Sequence, residues 1–583
     1  MKKILNGLLA LFLCFSLVAC KPDKPRPEPE NEAFQEFTNS LIAWYYPPTE
    51  ASIYFDFAHP EKYGITLGNP DFKIPSLEKV QEGAVEAQEK LAKLKEFDYS
   101  KLNSTEQLTY DVLVYNLQSA IDAPAFYYLH YGALGSFIGA NCDMPYYYIA
   151  WPLLSKEYLD AMLFTIDELP ATFQNWIDFE VEKAKHGYPM MLSTYQAIVE
   201  AAQKIVDAGD DYFLIKQVAE RIKTVPGLSE EEIIDYQQRV TESLKVNFIG
   251  AYRLLTKQLP ALYDKAVDKN KAGLSYFDGG DDYYLYMLRY NVGVDDAPQE
   301  VYDYLAKKLT AQFTEFFDIY GKHPEVFDVN IEEKFAIMSN DNEVPKVMDY
   351  LSSQYTKVFP AITPPDYIAE QVDETQQDAF SPAAYFTPLL DSDYRNLILV
   401  NPKSSRKKYT TIAHETYPGH LYQFNYVAQS DLPMIRKIMN VTGYAEGWAV
   451  YADHYAMQFV PDLKDYEIRF YQLNEDIIYT LWGMIDIGVN YKGWGIPEIL
   501  DFLSPYLNVM TEEEAEEFLN VIQENPTNML QYYYSYYLIE DFKIDFFTNA
   551  KKATEMKFNT SLVETGHIPF TLLKRHLKIQ AAK

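Results

Sequence analysis

Apolar residues recur at helical spacing through most of this chain, and that periodicity limits its fold more than any other feature. It is clear from Ser76 to Leu94 (SLEKVQEGAVEAQEKLAKL), Tyr195 to Val206, Ser229 to Leu254, Glu300 to Phe317, Ala445 to Val460 and Ile496 to Leu507. Acidic or hydroxyl caps mark several starts: Ser229-Glu-Glu-Glu, Asp295-Asp296-Ala-Pro-Gln-Glu and Thr511-Glu-Glu-Glu. Strand-like patterning is scarce, and its clearest case is Asn396 to Val400 (NLILV), closed by Asn401-Pro402. The expected fold is mainly α, with a small β element beside the candidate active site.

Organisation follows from where this pattern stops. The chain opens MKKILNGLLALFLCFSLVAC, with Lys2 and Lys3 ahead of an apolar run too short and one-sided for a transmembrane helix. Leu17-Val18-Ala19-Cys20 looks like a lipobox, which makes residues 1–19 a lipoprotein signal peptide and Cys20 the lipid-bearing first residue. The alternative is an ordinary signal peptide whose apolar core ends in cysteine by chance. Residues 20–32 continue as a proline-rich, charged tether that cannot pack. From 33 to 583 no linker and no repeat appears, so one large domain, divisible into two lobes around a cleft, is the simpler reading. With Cys20 lipidated, Cys142 is the thiol left in the mature chain, and no internal disulfide is available. A net charge of −33 excludes nucleic acid as a partner and leaves the lipid anchor as the contact with a membrane. Fifty tyrosines suit an aromatic-lined cleft, although a tyrosine-rich proteome explains them as well.

The chemistry is concentrated in Thr410 to Phe424, TTIAHETYPGHLYQF. A histidine followed directly by glutamate, with a second histidine one turn on, is how zinc peptidases bring two ligands and a base together. Zinc takes neutral imidazoles and keeps a position open for water, and the adjacent carboxylate removes that water's proton. Here His414 and His420 are six residues apart, not four. On a straight helix that is a turn of about 240°, and the rings diverge. Pro418-Gly419 lies between them, and a helix break there is expected to bring His420 back beside His414. Glu446, in Gly443-Tyr444-Ala445-Glu446-Gly447-Trp448, is the expected third ligand, because a carboxylate on an apolar helical stripe needs a cation or hydrogen bonds. Asp453, seven residues on and on the same face, is placed to orient a ligand histidine from behind. Glu446 as a solvated carboxylate is the plainer alternative, and His454 is a rival ligand about 80° round the helix.

These residues resemble a bacterial family catalogued as a domain of unknown function, whose hallmark is His-Glu-x-Tyr-Pro-Gly-His and whose members look like glutamate-type zincins. The likeness extends to Asn401, Glu446-Gly447-Trp448-Ala449, Asp486-Ile487-Gly488, Gly493-Trp494, Pro526, Tyr532 and Gly566-His567-Ile568-Pro569-Phe570. It implies His414, His420 and Glu446 as zinc ligands and Glu415 as the base. Asn490 stands where the family pattern has a histidine, and it is expected near the substrate with an amide in place of an imidazole. Asp453 stands where the family usually has glutamate. Tyr532 is the candidate oxyanion donor, although it opens the run Tyr532-Tyr533-Tyr534-Ser535-Tyr536-Tyr537 and any ring of that run could face inward. Arg395 could pair with a substrate carboxylate or form a surface ion pair.

The expected activity is hydrolysis of short peptides at a zinc site on the outer face of a bacterial membrane. Two rivals remain: a non-catalytic lipoprotein that captures peptides or saccharides, and a zinc hydrolase acting on an ester or a cell-wall amide.

Overall fold

The computed structural model describes residues 31–271, 273–329, 334, 344–374, 377, 380–393, 395–403, 408–506 and 510–582. The signal segment, Cys20 and the tether to residue 30 lie outside these described residues. Helices dominate, and two of the three predicted caps open one. Ser76 caps Leu77–Leu94, and full capping boxes open Glu230–Ser243 at Ser229 and Glu512–Glu524 at Thr511. The periodic stretch at Tyr195 lies inside Leu192–Ala208, and the last one ends early, at Leu503.

Two expectations shift. Asp295 and Asp296 do not cap the next helix. Asp295 pairs with Arg289 at 3.1 Å, and Pro298–Lys322 starts instead with Glu300 reaching back to the Ala297 N–H at 2.9 Å. The stretch from Ser229 is also not one straight helix. Its buried positions Tyr236, Val240, Leu244, Phe248 and Tyr252 step by four, a drift of about 40° per step on an α-helix. A π turn at Leu244–Phe248 absorbs that drift and keeps the stripe on the core.

Strands β1 (Tyr367–Gln371), β2 (Ala383–Phe386) and β3 (Asn396–Val400) form one small sheet in the order β1-β3-β2. The central β3 is the NLILV run. It lies parallel to β1, with Tyr367 opposite Asn396, and antiparallel to β2, with Ala383 opposite Val400. Its near-complete burial suits a continuous apolar strand better than an alternating one. Beyond β3, the Asn401 amide donates to the Gln377 and Phe380 carbonyls at 2.8 and 2.9 Å, fixing the chain shortly before the Lys408–Glu415 helix.

Buried apolar side chains form one cluster that runs from Phe34 to Leu577. At its centre is the Thr442–Ala456 helix, buried over almost its whole circumference. Lys408–Glu415, Ser535–Asn549 and the π turn Leu530–Tyr534 pack against it. Among the described residues no helix is long and apolar enough to cross a membrane.

Candidate metal centre

The six-residue spacing is accommodated by ending one helix and starting another. Lys408–Glu415 stops at the glutamate, Thr416 to Gly419 turn, and His420 opens His420–Gln429. Within the turn the Gly419 N–H reaches the Ala413 carbonyl and the Tyr422 N–H reaches the Thr416 carbonyl, each at 3.1 Å. This fold-back requires glycine: a Cβ at Gly419 would lie 1.8 Å from the His414 carbonyl oxygen and 2.5 Å from that of Ala413. The Pro418 carbonyl accepts the Trp448 indole N–H at 3.0 Å, tying the break to the helix that carries Glu446.

Glycines also bring that helix close to its neighbours. A Cβ at Gly443 would meet the Val292 carbonyl at 2.3 Å, and one at Gly447 would meet Ser535 Cβ at 2.6 Å. The second approach draws in the π turn of Leu530–Tyr534.

His414, His420 and Glu446 thereby converge, with their donor atoms all within 4.8 Å of one another. Each imidazole Nε2 lies 3.4 Å from Glu446 Oε2. The two rings stand 4.8 Å apart and nearly perpendicular, at 89°. On its far side, His414 Nδ1 meets Asp453 Oδ2 at 3.1 Å. A neutral His414 that donates from Nδ1 presents a bare lone pair at Nε2 toward the Glu446 carboxylate. Glu446 Oε2 is buried and has no hydrogen-bond partner among the described residues. Such an atom is costly to bury unless a cation meets it, and the donor set of two imidazoles and one carboxylate fits zinc.

The electrostatics express the same demand. Burial opposes charge on His414, yet the carboxylates of Asp453, Glu446 and Glu415 outweigh it and raise its pKa well above the usual value. Burial likewise opposes charge on Glu446, but His420 and His414 outweigh it and hold the carboxyl below the ordinary range.

Tyr532 is the member of the tyrosine run that faces the cluster, its ring stacked on His414 at 6.1 Å and 11°. The π turn aims it there and sends its neighbours elsewhere. Tyr533 stacks on Tyr479, Tyr534 packs on Tyr304, Tyr536 meets His454 Nδ1 at 3.0 Å, and Tyr537 accepts from Gln312. Burial, then the nearby Glu446 and Glu415 carboxylates, keep the Tyr532 hydroxyl protonated. Glu415 is half-buried at the end of its helix, close enough to act on both His414 and Tyr532.

Three expected site residues stand apart. His454 is buried with its Nδ1 on the Tyr536 hydroxyl and is not among the converging donors. Asn490 is corrected: its side chain is fully buried at a helix end, donates to the Ile522 carbonyl at 3.3 Å and accepts from the Leu274 N–H at 3.4 Å. An amide spent on two backbone groups and beside Asp486 holds helices together and has nothing left for a substrate. Arg395 takes the second of its two alternatives: it is exposed, with Nε 3.9 Å from Asp366 Oδ2.

Other nearby groups were not singled out from sequence. His567 packs on Phe424 with ring centroids 4.6 Å apart and the planes tilted by 57°, and burial together with His420 pushes its pKa down to about 3. Asp476, buried on the helix Asp465–Asn490, sits between Leu473 and Ile477 on an apolar stripe, the same pattern that marked Glu446.

The chain belongs to the family described as "Bacterial protein of unknown function (DUF885)", whose pattern matches residues 62–577. A protein of Colwellia psychrerythraea, provisionally named a lipoprotein, shares its fold with a TM-score of 0.79 at 14% identity, over 94% of this chain and 98% of its own. A second, from Shewanella oneidensis, provisionally named a lipoprotein of unknown function, has a TM-score of 0.59 at 15% identity, over 93% and 99% of the two chains. No curated protein matches the chain significantly.

Proposed function

We propose that this member of the DUF885 family is a zinc-dependent hydrolase of short peptides, held to the outer face of a bacterial membrane by a lipid on Cys20. The observation that carries the reading is the convergence of His414, His420 and Glu446 donors beside the Glu415 carboxylate. Zinc bound there supplies a Lewis acid for an amide carbonyl and brings the pKa of a water near neutrality. Glu415 takes the proton of the attacking water and returns it to the leaving amine. The Tyr532 hydroxyl donates a hydrogen bond to the oxyanion as charge develops on it. Asp453 fixes the tautomer and orientation of His414 from behind. Peptides are the favoured substrates because this donor set is most often used on them, and an ester or a cell-wall amide would need the same groups.

The test is the metal content of protein purified without its first twenty residues. Wild type is expected to hold about one zinc per chain, as a site with three protein ligands does, and both Glu446→Ala and His420→Ala are expected to lose it. A peptide library then reads activity, with Glu415→Gln expected to fall by about 10² to 10⁴ while keeping its zinc. Wild type that stays metal-free when zinc is offered sinks the hydrolase and leaves a binding lipoprotein.

A further inference from the structure

One fully buried cation lies outside the metal centre, and among the described residues no carboxylate meets it. Arg436 is 0% exposed on the four-residue helix Met434–Lys437. Its Nη2 donates to the Thr565 carbonyl, whereas the N–H groups on Nε and Nη1 have no hydrogen-bond partner among the described residues. The neighbour that acts on its charge is Tyr444, whose hydroxyl donates to the Leu562 carbonyl at 2.7 Å and so keeps its own proton. Arginines nearer solvent have what this one lacks: Arg289 meets Asp295 at 3.1 Å, and Arg469 forks onto Glu315 at 2.9 and 2.8 Å. Burial pushes the Arg436 pKa down to about 10, which still leaves the group charged at neutral pH. That charge is felt as far as His567, where it helps to keep the imidazole neutral.

A guanidinium taken out of water without a counter-charge is among the most costly groups a fold can enclose. It cannot shed its proton inside a protein. A water accepts from spare N–H groups but leaves the charge uncompensated, so full relief comes from an anion. Three segments close over the group: the turn Pro433–Lys437, the Glu446 helix through Tyr444, and the stretch from Leu562 to His567. Gly566 packs tightly there, since a Cβ on it would lie 3.1 Å from Leu432 Cδ1 and 3.9 Å from Arg436 Nη2. A side chain sealed in this way admits a small ion and excludes a peptide carboxylate or a phosphate ester. One uncompensated positive charge calls for one negative charge. We propose that Arg436 is the core of a buried site for a small monovalent inorganic anion, of the kind that chloride supplies, which ties these three segments together. The site stands apart from the zinc reading and goes beyond it.

Two measurements on the whole zinc-free protein test it. In the first, urea unfolding is followed as chloride replaces gluconate at constant ionic strength, so that general screening cancels and gluconate is too large to enter. Above the dissociation constant, each tenfold rise in chloride is expected to lower the wild-type unfolding constant by about tenfold, as one bound ion does. Arg436→Met, which fills similar space without the charge, is expected to show no such dependence. Equal dependence in both proteins, or none in wild type, overturns the proposal. The second measurement needs only wild type and decides even where the variant fails to fold. Bromide replaces chloride in crystals, and its anomalous scattering is expected beside the Arg436 guanidinium. Scattering there without chloride dependence in solution marks an adventitious ion only, and no scattering there means that water meets these N–H groups; either result overturns the proposal. Zinc is absent throughout, so the outcome is separate from that of the hydrolase reading.

Discussion

The two histidines of the centre are held from behind in opposite ways. His414 backs onto Asp453, whose Oδ2 meets the His414 Nδ1 at 3.1 Å. His420 Nδ1 is buried with no hydrogen-bond partner among the described residues, and its ring neighbours are Phe424, at 6.1 Å, and His567, close enough to feel its charge. A charge-assisted hydrogen bond fixes the rotation of a ring, which apolar neighbours do only loosely. His420 is fixed instead through its backbone, as the first residue of a helix whose start is dictated by Gly419. One ligand is therefore a matter of side-chain electrostatics and the other a matter of chain path. The two should fail under different substitutions.

The largest failure belongs to the chain path. Gly419→Ala places a methyl 1.8 Å from a backbone carbonyl oxygen that has no flexible end to move. The turn must open, and a loss of about 3 kcal/mol or more is expected, in the range of severe backbone and core lesions. Urea unfolding of the zinc-free protein reads that loss, and metal content should fall with it. If Gly419→Ala keeps both stability and zinc, His420 does not depend on this fold-back.

The side-chain half of the comparison is smaller and affects the metal more than the fold. Asp453→Asn and His567→Asn, measured together, should separate. The first is expected to cost about tenfold to a hundredfold in zinc affinity, the second less than about threefold, since only the first removes a group bonded to a ligand. Equal losses would mean that the two ligands are supported alike.

How far the sequence carries this asymmetry depends on the range of each interaction. The NLILV strand, the caps at Ser229 and Thr511 and the helix break at Pro418-Gly419 were legible because each is decided by neighbours within a few residues. Glu446 and Asp453 were legible because their spacing of seven places both on one face of a single helix. The π turn at Leu530–Tyr534 was not, since packing against the Gly447 face decides it, and with it which tyrosine faces the cluster. Arg469 and Asp476 share one helix at the same spacing of seven, but Glu315 reaches Arg469 from Pro298–Lys322, and no local pattern joins that residue to them. Asn490 was misread for a related reason: the partners that consume its amide, Leu274 and Ile522, are remote in the chain.

The smallest effect near neutral pH is on the His420 side, and acid should enlarge it. His567 is buried and neutral, its pKa pushed from an ordinary 6.5 down to about 3, while its ring hydrogen-bonds the Met439 backbone. Below pH 6.5 the unfolded chain binds a proton at this position that the folded chain refuses, so the stability this group contributes is complete above that pH and is lost as pH falls toward 3. The loss approaches about 1.4 kcal/mol per pH unit within that window. His567→Asn removes the titrating group and keeps a polar side chain for Met439. Urea unfolding of zinc-free protein at a series of pH values should therefore show wild type and variant nearly equal at pH 7 to within about 1 kcal/mol, with the variant losing less as pH drops. Parallel profiles would mean that His567 takes up its proton in the folded state, and that the wall behind His420 is wetter than its burial indicates.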